Sequence, residues 1–217
     1  TMDSPDQGAI GIPLTSASIE GNSVTVSIEA VQGTYTGTLS DEGDQLSGTW
    51  SQGPASLALT LVKGDPSPPP ERPQEPNPPY PYSIEEVTFT NTEAGIDLAG
   101  TLTIPDGLGP FPGVVLVSGS GPQDRDESLM GHKPFLVLAD HLSRQGIAVL
   151  RFDDRGVGSS GGEFQAATSE DFTEDALAGV SYLEGQDRVA ETQVGIVGHS
   201  EGGLIAPLAA IRSEKVA

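Results

Sequence analysis

Nine of the chain's 18 prolines fall between Pro66 and Pro81. Proline fixes φ and lacks a backbone N–H, so neither a helix nor a central strand survives that density. Residues 64–83 therefore read as an extended, polyproline-type spacer, which splits the 217-residue chain into regions 1–63 and 84–217. A proline-rich recognition peptide is the alternative. The change of character across the block favours a spacer.

Before the block the pattern has period two. Val24, Val26 and Ile28 alternate with Thr25, Ser27 and Glu29, after the turn Glu20-Gly21-Asn22. The segments Gly33–Leu39 and Leu46–Trp50 flank the turn Asp41-Glu42-Gly43-Asp44, and a last strand runs from Ser56 to Val62. Short strands joined by Gly/Asp turns predict a small antiparallel β-meander. Tyr35 and Trp50 read as its packing residues. Lining a ligand groove is the alternative for them.

After the block, strands alternate with helices. Strands are expected at 85–90, 96–104, 114–118, 147–152 and 194–197, and helices at 134–145, 169–183 and 201–211. Phe172, Ala176, Leu177, Val180 and Leu183 form one apolar stripe of the second helix, with Ser169 as its expected N-cap. Pro207 should kink or shorten the third. The early strands alternate and the later ones are continuously apolar, which predicts an edge hairpin leading into a buried parallel sheet.

The last strand runs straight into Gly198-His199-Ser200-Glu201-Gly202, followed by the apolar stretch Leu204–Ile211. A serine held at a sharp strand-to-helix turn needs small residues two before and two after it, and Gly198 and Gly202 stand there. The helix then presents its free N–H groups to any negative charge that develops beside the serine.

Composition narrows the rest. There are 31 acidic and 10 basic residues, a net charge of −21. Such a surface repels phosphates and anionic lipid headgroups, so no nucleic-acid partner is expected. Solubility explains the charge most simply; adaptation to high salt is the alternative. No apolar run is long enough for a membrane span. The absence of cysteine removes disulfides, thiolate chemistry and cysteine-ligated metal. The stretch Gly156–Gly162 is glycine-rich but lacks the lysine of a phosphate-binding loop.

Residues 84–217 resemble the α/β-hydrolase superfamily. Three segments carry the likeness: Gly198–Gly202; Val117–Asp126, similar to the loop after the third strand; and Arg151–Ser160, similar to the Asp-x-Arg-Gly-x-Gly-x-Ser segment after the fourth. Together they look like bacterial esterases with an extra N-terminal β-domain, related to serine aminopeptidase-like and acyl-peptide hydrolase-like proteins. The implied fold is α/β: an incomplete hydrolase core, mostly parallel, preceded by the β-meander.

The resemblance implies Ser200 as nucleophile toward a small-molecule ester or acyl substrate. It implies oxyanion donors from the backbone N–H groups of Glu201 and of Ser120, with Gly119 and Gly121 as alternatives to Ser120. It implies no metal, flavin or nucleotide cofactor. Periplasmic or secreted localisation is suggested, with the cytoplasm as alternative, and a homodimer is left open.

In this superfamily the acid and the base follow the nucleophile, yet the 17 residues after Ser200 contain neither His nor Asp. The chain is accordingly read as an internal fragment, with the triad acid and histidine outside it and little activity expected from it alone. His199 has its backbone committed to the strand, His141 reads as a helix-surface residue, and His132 is the one in-chain base left open. Asp124, Arg125 and Asp126 read as an internally paired loop. A serine peptidase or thioesterase of the same fold, or a non-catalytic binding protein, are the competing functions.

Overall fold

The computed structural model describes residues 1–4, 9–64, 71–129 and 131–217. It forms two compact units, Thr1–Glu71 and Arg72–Ala217. The division falls inside the expected 64–83 spacer. Pro66, Pro68, Pro69 and Pro70 lie outside the described residues, and the second half of the proline block is part of the second unit. There the Tyr80 ring stacks on Tyr82, with centroids 5.2 Å apart.

In the first unit β1 (Met2–Ser4) pairs with β2 (Ala9–Ile12). A five-stranded antiparallel sheet follows, made of β3 (Ser16–Glu20), β4 (Ser23–Ile28), β5 (Gly33–Leu39), β6 (Gln45–Gln52) and β7 (Ala55–Val62). Each strand pairs with its neighbour in sequence, which is the expected meander. Its register places Val26, Tyr35, Trp50 and Leu57 in one cross-strand row, because paired residues in an antiparallel sheet share a face. The threonines and serines between them take the other face. Tyr35 is buried and its hydroxyl points to the carbonyls of Leu46 (2.9 Å) and Leu59 (3.1 Å). The Trp50 ring lies so close over Gly33 that a Cβ there would overlap it.

The second unit is built from β8 (Tyr82–Asn91), β9 (Ile96–Pro105), β10 (Phe111–Val117), α1 (Pro134–Arg144), β11 (Ala148–Phe152), α2 (Ser169–Glu184), β12 (Val189–Gly198) and α3 (Gly202–Arg212). Its sheet runs β12-β10-β11-β9-β8. β10 is parallel to both β11 and β12, while β8 and β9 form the antiparallel edge hairpin.

Period two along β10 sorts the core into two layers. Val114 and Leu116 pack with Phe135, Ala139 and Val149 on the α1 face. Val115 and Val117 pack with Leu150, Val180, Leu183 and Ile205 on the face covered by α2 and α3. Gly179 lets α2 approach closely, since a Cβ there would already stand 3.3 Å from Leu150 and Val115 side chains.

Two local expectations are corrected. The N-cap of α2 is Thr168, not Ser169: the Thr168 N–H and hydroxyl both donate to the Asp171 carboxylate, at 2.9 and 2.7 Å. Pro207 does not shorten α3, which continues to Arg212. Pro207 and Gly203 both lie on the exposed side, so water can reach the Gly203 carbonyl that loses its helical partner.

Candidate active site

Ser200 sits between β12 and α3 with φ 51°, a left-handed conformation that non-glycine residues rarely hold. The turn is tight on both sides. A Cβ on Gly198 would overlap the Gly202 carbonyl, and one on Gly202 would overlap the carbonyl of Val117 at the end of β10. Both glycines are therefore required by backbone packing. The turn is closed by Gly202 N–H to His199 O (2.8 Å) and Gly203 N–H to Ser200 O (3.0 Å). His199 N–H donates to Val117 O (3.0 Å), which carries the β10 pairing up to the residue before the serine.

The loop after β10 is held from beneath. The Ser118 hydroxyl donates to Asp154 Oδ1 (2.9 Å) and Gln123 N–H to Asp154 Oδ2 (2.9 Å). Burial pushes the Asp154 carboxyl up to about 6, against the opposing effect of those two hydrogen bonds. The Arg125 guanidinium bridges Asp153 (Nη2–Oδ2 2.8 Å) and Glu86. Burial alone would raise the Asp153 carboxyl, but the Arg125 hydrogen bonds hold it below the usual range. Asp126 pairs with the buried Arg151 and with Lys133. Arg125 and Asp126 are thus paired with residues outside the loop, not with each other, while Asp124 Oδ1 accepts the Asp126 N–H.

Around the serine, Gly119 N–H donates to Glu127 Oε1 (2.8 Å), whereas among the described residues the N–H groups of Ser120 and Glu201 have no protein acceptor. The Glu201 carboxylate accepts the Ser169 hydroxyl (2.6 Å) and is occupied at the rim. His199 Nδ1 lies 2.7 Å from Glu127 Oε1. His132 Nδ1 faces Glu75 (3.3 Å), and His141 is exposed on α1. Among the described residues none of the three histidines is hydrogen-bonded to the Ser200 hydroxyl. A cleft of about 660 Å³ opens beside Ser200, lined by Gly119, Ser120, Leu129, Phe135, Leu138 and His199.

Glu127 is the residue that sequence reasoning missed. It is buried, and its own φ is 51°. It follows an acidic run, and nothing in its neighbours marks it as facing the serine turn rather than solvent. No group of residues suited to a metal ion is found among the described residues. No helix among them is long and apolar enough to cross a membrane.

The fold of the second unit has counterparts among solved structures. GrgF from Penicillium sp. sh18, an α/β hydrolase of solved structure, superposes on 62% of this chain and 44% of its own, with TM-score 0.54 and 25% identity. The second unit has an α/β-hydrolase fold, cut to part of the core of these neighbours. A family model described as Serine aminopeptidase, S33 matches residues 133–217 of this α/β-hydrolase unit.

Esterase EstD of Thermotoga maritima is 40% identical over 134 residues, covering 62% of this chain. The chain spans 31% of that relative's length. Est1E from Butyrivibrio proteoclasticus, solved with ferulic acid bound, matches 60% of this chain and 49% of its own at 26% identity and TM-score 0.50.

Proposed function

We propose that the protein is a serine hydrolase that cleaves carboxylic esters through an acyl-enzyme on Ser200. The observation that carries this reading is the left-handed Ser200 between β12 and α3, with Gly198 and Gly202 packed against carbonyls. Strain of that kind is retained where a side chain must be exposed at a fixed place.

In the proposed reaction Ser200 Oγ bonds to the ester carbonyl carbon as its proton passes to a general base. The tetrahedral oxyanion is stabilised by the N–H groups of Glu201 and Ser120, and the alkoxide leaves with the proton returned by the base. Water then repeats the sequence on the acyl-enzyme. Among the described residues no histidine meets the serine hydroxyl, and the reading places the base and its orienting acid outside this set. The reading assigns no role to a cofactor. The relative named an esterase supports ester cleavage, while the aminopeptidase family model supports a second reading, peptide-bond cleavage by the same serine.

The test is fluorophosphonate labelling of the intact protein, paired with turnover of a p-nitrophenyl ester and of an aminoacyl p-nitroanilide. Labelling that Ser200→Ala removes, with turnover of the ester alone, is the expected result. Turnover of the anilide alone would favour the peptidase. Labelling that survives Ser200→Ala would end the proposal.

A further inference from the structure

The cluster behind Gly119 has a feature that the proposed reaction does not use. Glu127 Oε1 accepts the Gly119 N–H at 2.8 Å and lies 2.7 Å from His199 Nδ1. One carboxylate oxygen thereby joins the loop after β10 to the residue preceding Ser200. The side chain is buried, with 8% of its surface exposed, while the His199 ring is 65% exposed. Burying a carboxylate is costly unless its oxygens find donors, and here they come from both sides of the site.

The backbone adds an independent observation. Among the described residues only Gln32, Glu127 and Ser200 combine a side chain with positive φ, and two of these three meet at this place. Left-handed backbone at a non-glycine residue is strained and persists where surrounding contacts hold it. Gly119 lies between them: a Cβ built on it would stand 3.1 Å from Ser200 Cβ, 3.2 Å from Glu127 Oε1 and 3.3 Å from His199 Nδ1.

We infer that Glu127 is a positioning residue, which sets the oxyanion loop and the His199 ring against the serine turn. This inference rests on the serine-hydrolase reading. Two consequences follow from the chemistry. The Gly119 N–H is committed to Glu127 and withdrawn from the oxyanion, so the loop amides left for it are those of Ser120 and Gly121. A carboxylate only accepts, so His199 Nδ1 carries its proton and Nε2 is the ring nitrogen presented at the cleft. Glu127 touches no reacting atom; it acts through Gly119 and His199.

The test uses Glu127→Ala and Glu127→Gln in the intact protein, beside Ser200→Ala. Four quantities are read: melting temperature, kcat and KM on a p-nitrophenyl ester, affinity for a boronic acid that adds to the serine, and ¹⁵N shifts of the His199 ring. Glu127→Ala is expected to lower kcat about 10²–10³-fold, the size of losing one oxyanion donor. KM should stay within about threefold, boronate affinity should fall in step with kcat, and the ring should lose its fixed Nδ1–H signature.

Glu127→Gln keeps an oxygen for the Gly119 N–H and should recover at least about tenfold of the lost rate. An unchanged kcat in Glu127→Ala overturns the inference. So does a loss matched by the unfolded fraction with no rescue by Gln. Full turnover by Ser200→Ala would instead sink the hydrolase reading. The ring spectrum then still decides the clamp, since an Nδ1–H signature indifferent to Glu127→Ala would overturn it.

Discussion

Ser200 and Glu127 share the same φ of 51° and approach the same glycine, 3.1 Å and 3.2 Å from where Gly119 would carry its Cβ. The contact is made in the folded protein between residues far apart in the chain. Any side chain at position 119 would have to displace the serine, the carboxylate or both. The approach of two strained residues to a glycine sets how close the loop after β10 can come to the serine turn.

Neighbouring glycines of the turn should respond differently to the same change. Gly202→Ala places a Cβ against the Val117 carbonyl and 2.8 Å from the Ser118 carbonyl oxygen, both backbone. A loss of about 3 kcal/mol or more is expected, read by urea unfolding, together with loss of activity. Gly203→Ala meets nothing closer than the Gly198 carbonyl oxygen at 3.8 Å. It should be neutral or stabilise α3 by up to about 1 kcal/mol.

The pair Arg155–Asp175 ties the loop after β11 to α2. Arg155 Nε lies 2.7 Å from Asp175 Oδ2, Nη2 lies 2.9 Å from Oδ1, and Asn91 Nδ2 donates to the same carboxylate at 2.7 Å. Both charges are buried. Removing one partner by Asp175→Ala leaves the buried guanidinium with Asp171 alone and should cost about 3 kcal/mol in denaturant unfolding. Replacing both partners with apolar residues of similar volume should cost less than the single change.

Asp154 supplies a pH dependence with a defined sign. Its folded value of about 6 lies above the usual carboxyl value near 3.8, so the folded state binds the proton more tightly than the unfolded chain. Its stabilising contribution is full below about pH 4 and is lost as pH rises through about 6. Asp153, Asp140 and Asp171 are shifted down and act in the opposite sense, at lower pH. The difference in melting temperature between the wild type and Asp154→Asn should therefore move in favour of the asparagine protein between pH 4 and 7. A difference that is flat across that window would contradict the assignment.

In the first unit, Tyr35→Phe removes the one hydroxyl shared by the Leu46 and Leu59 carbonyls. A loss of about 1 kcal/mol is expected, within the range for one hydrogen bond in a partly buried place. Thermal unfolding of the β-rich unit, followed through Trp50 fluorescence, reads it.

Much of the architecture was legible because it depends on short-range patterns. Alternation along Val24–Ile28, the 3.6-residue stripe of α2 and the Gly-x-Ser-x-Gly turn each lie within a few residues. Local geometry alone requires them. Thr168 displaced Ser169 as cap because the Ser169 hydroxyl is drawn to Glu201, 32 positions away. Pro207 was tolerated because it faces outward. The second half of the proline block joined the second unit, where Glu75 meets His132, 57 positions away.

The sequence by itself determined the two-part organisation, the kinds of element in each part and the serine between two obligatory glycines. These follow from proline's fixed φ, side-chain periodicity and the space a sharp turn allows. Only the tertiary structure decided that the Gly119 amide is taken by Glu127 and that Glu127 faces His199. A carboxylate's partner is chosen by what the fold brings within about 3 Å of it, and residues 119, 127 and 199 meet only once β10 and β12 lie side by side.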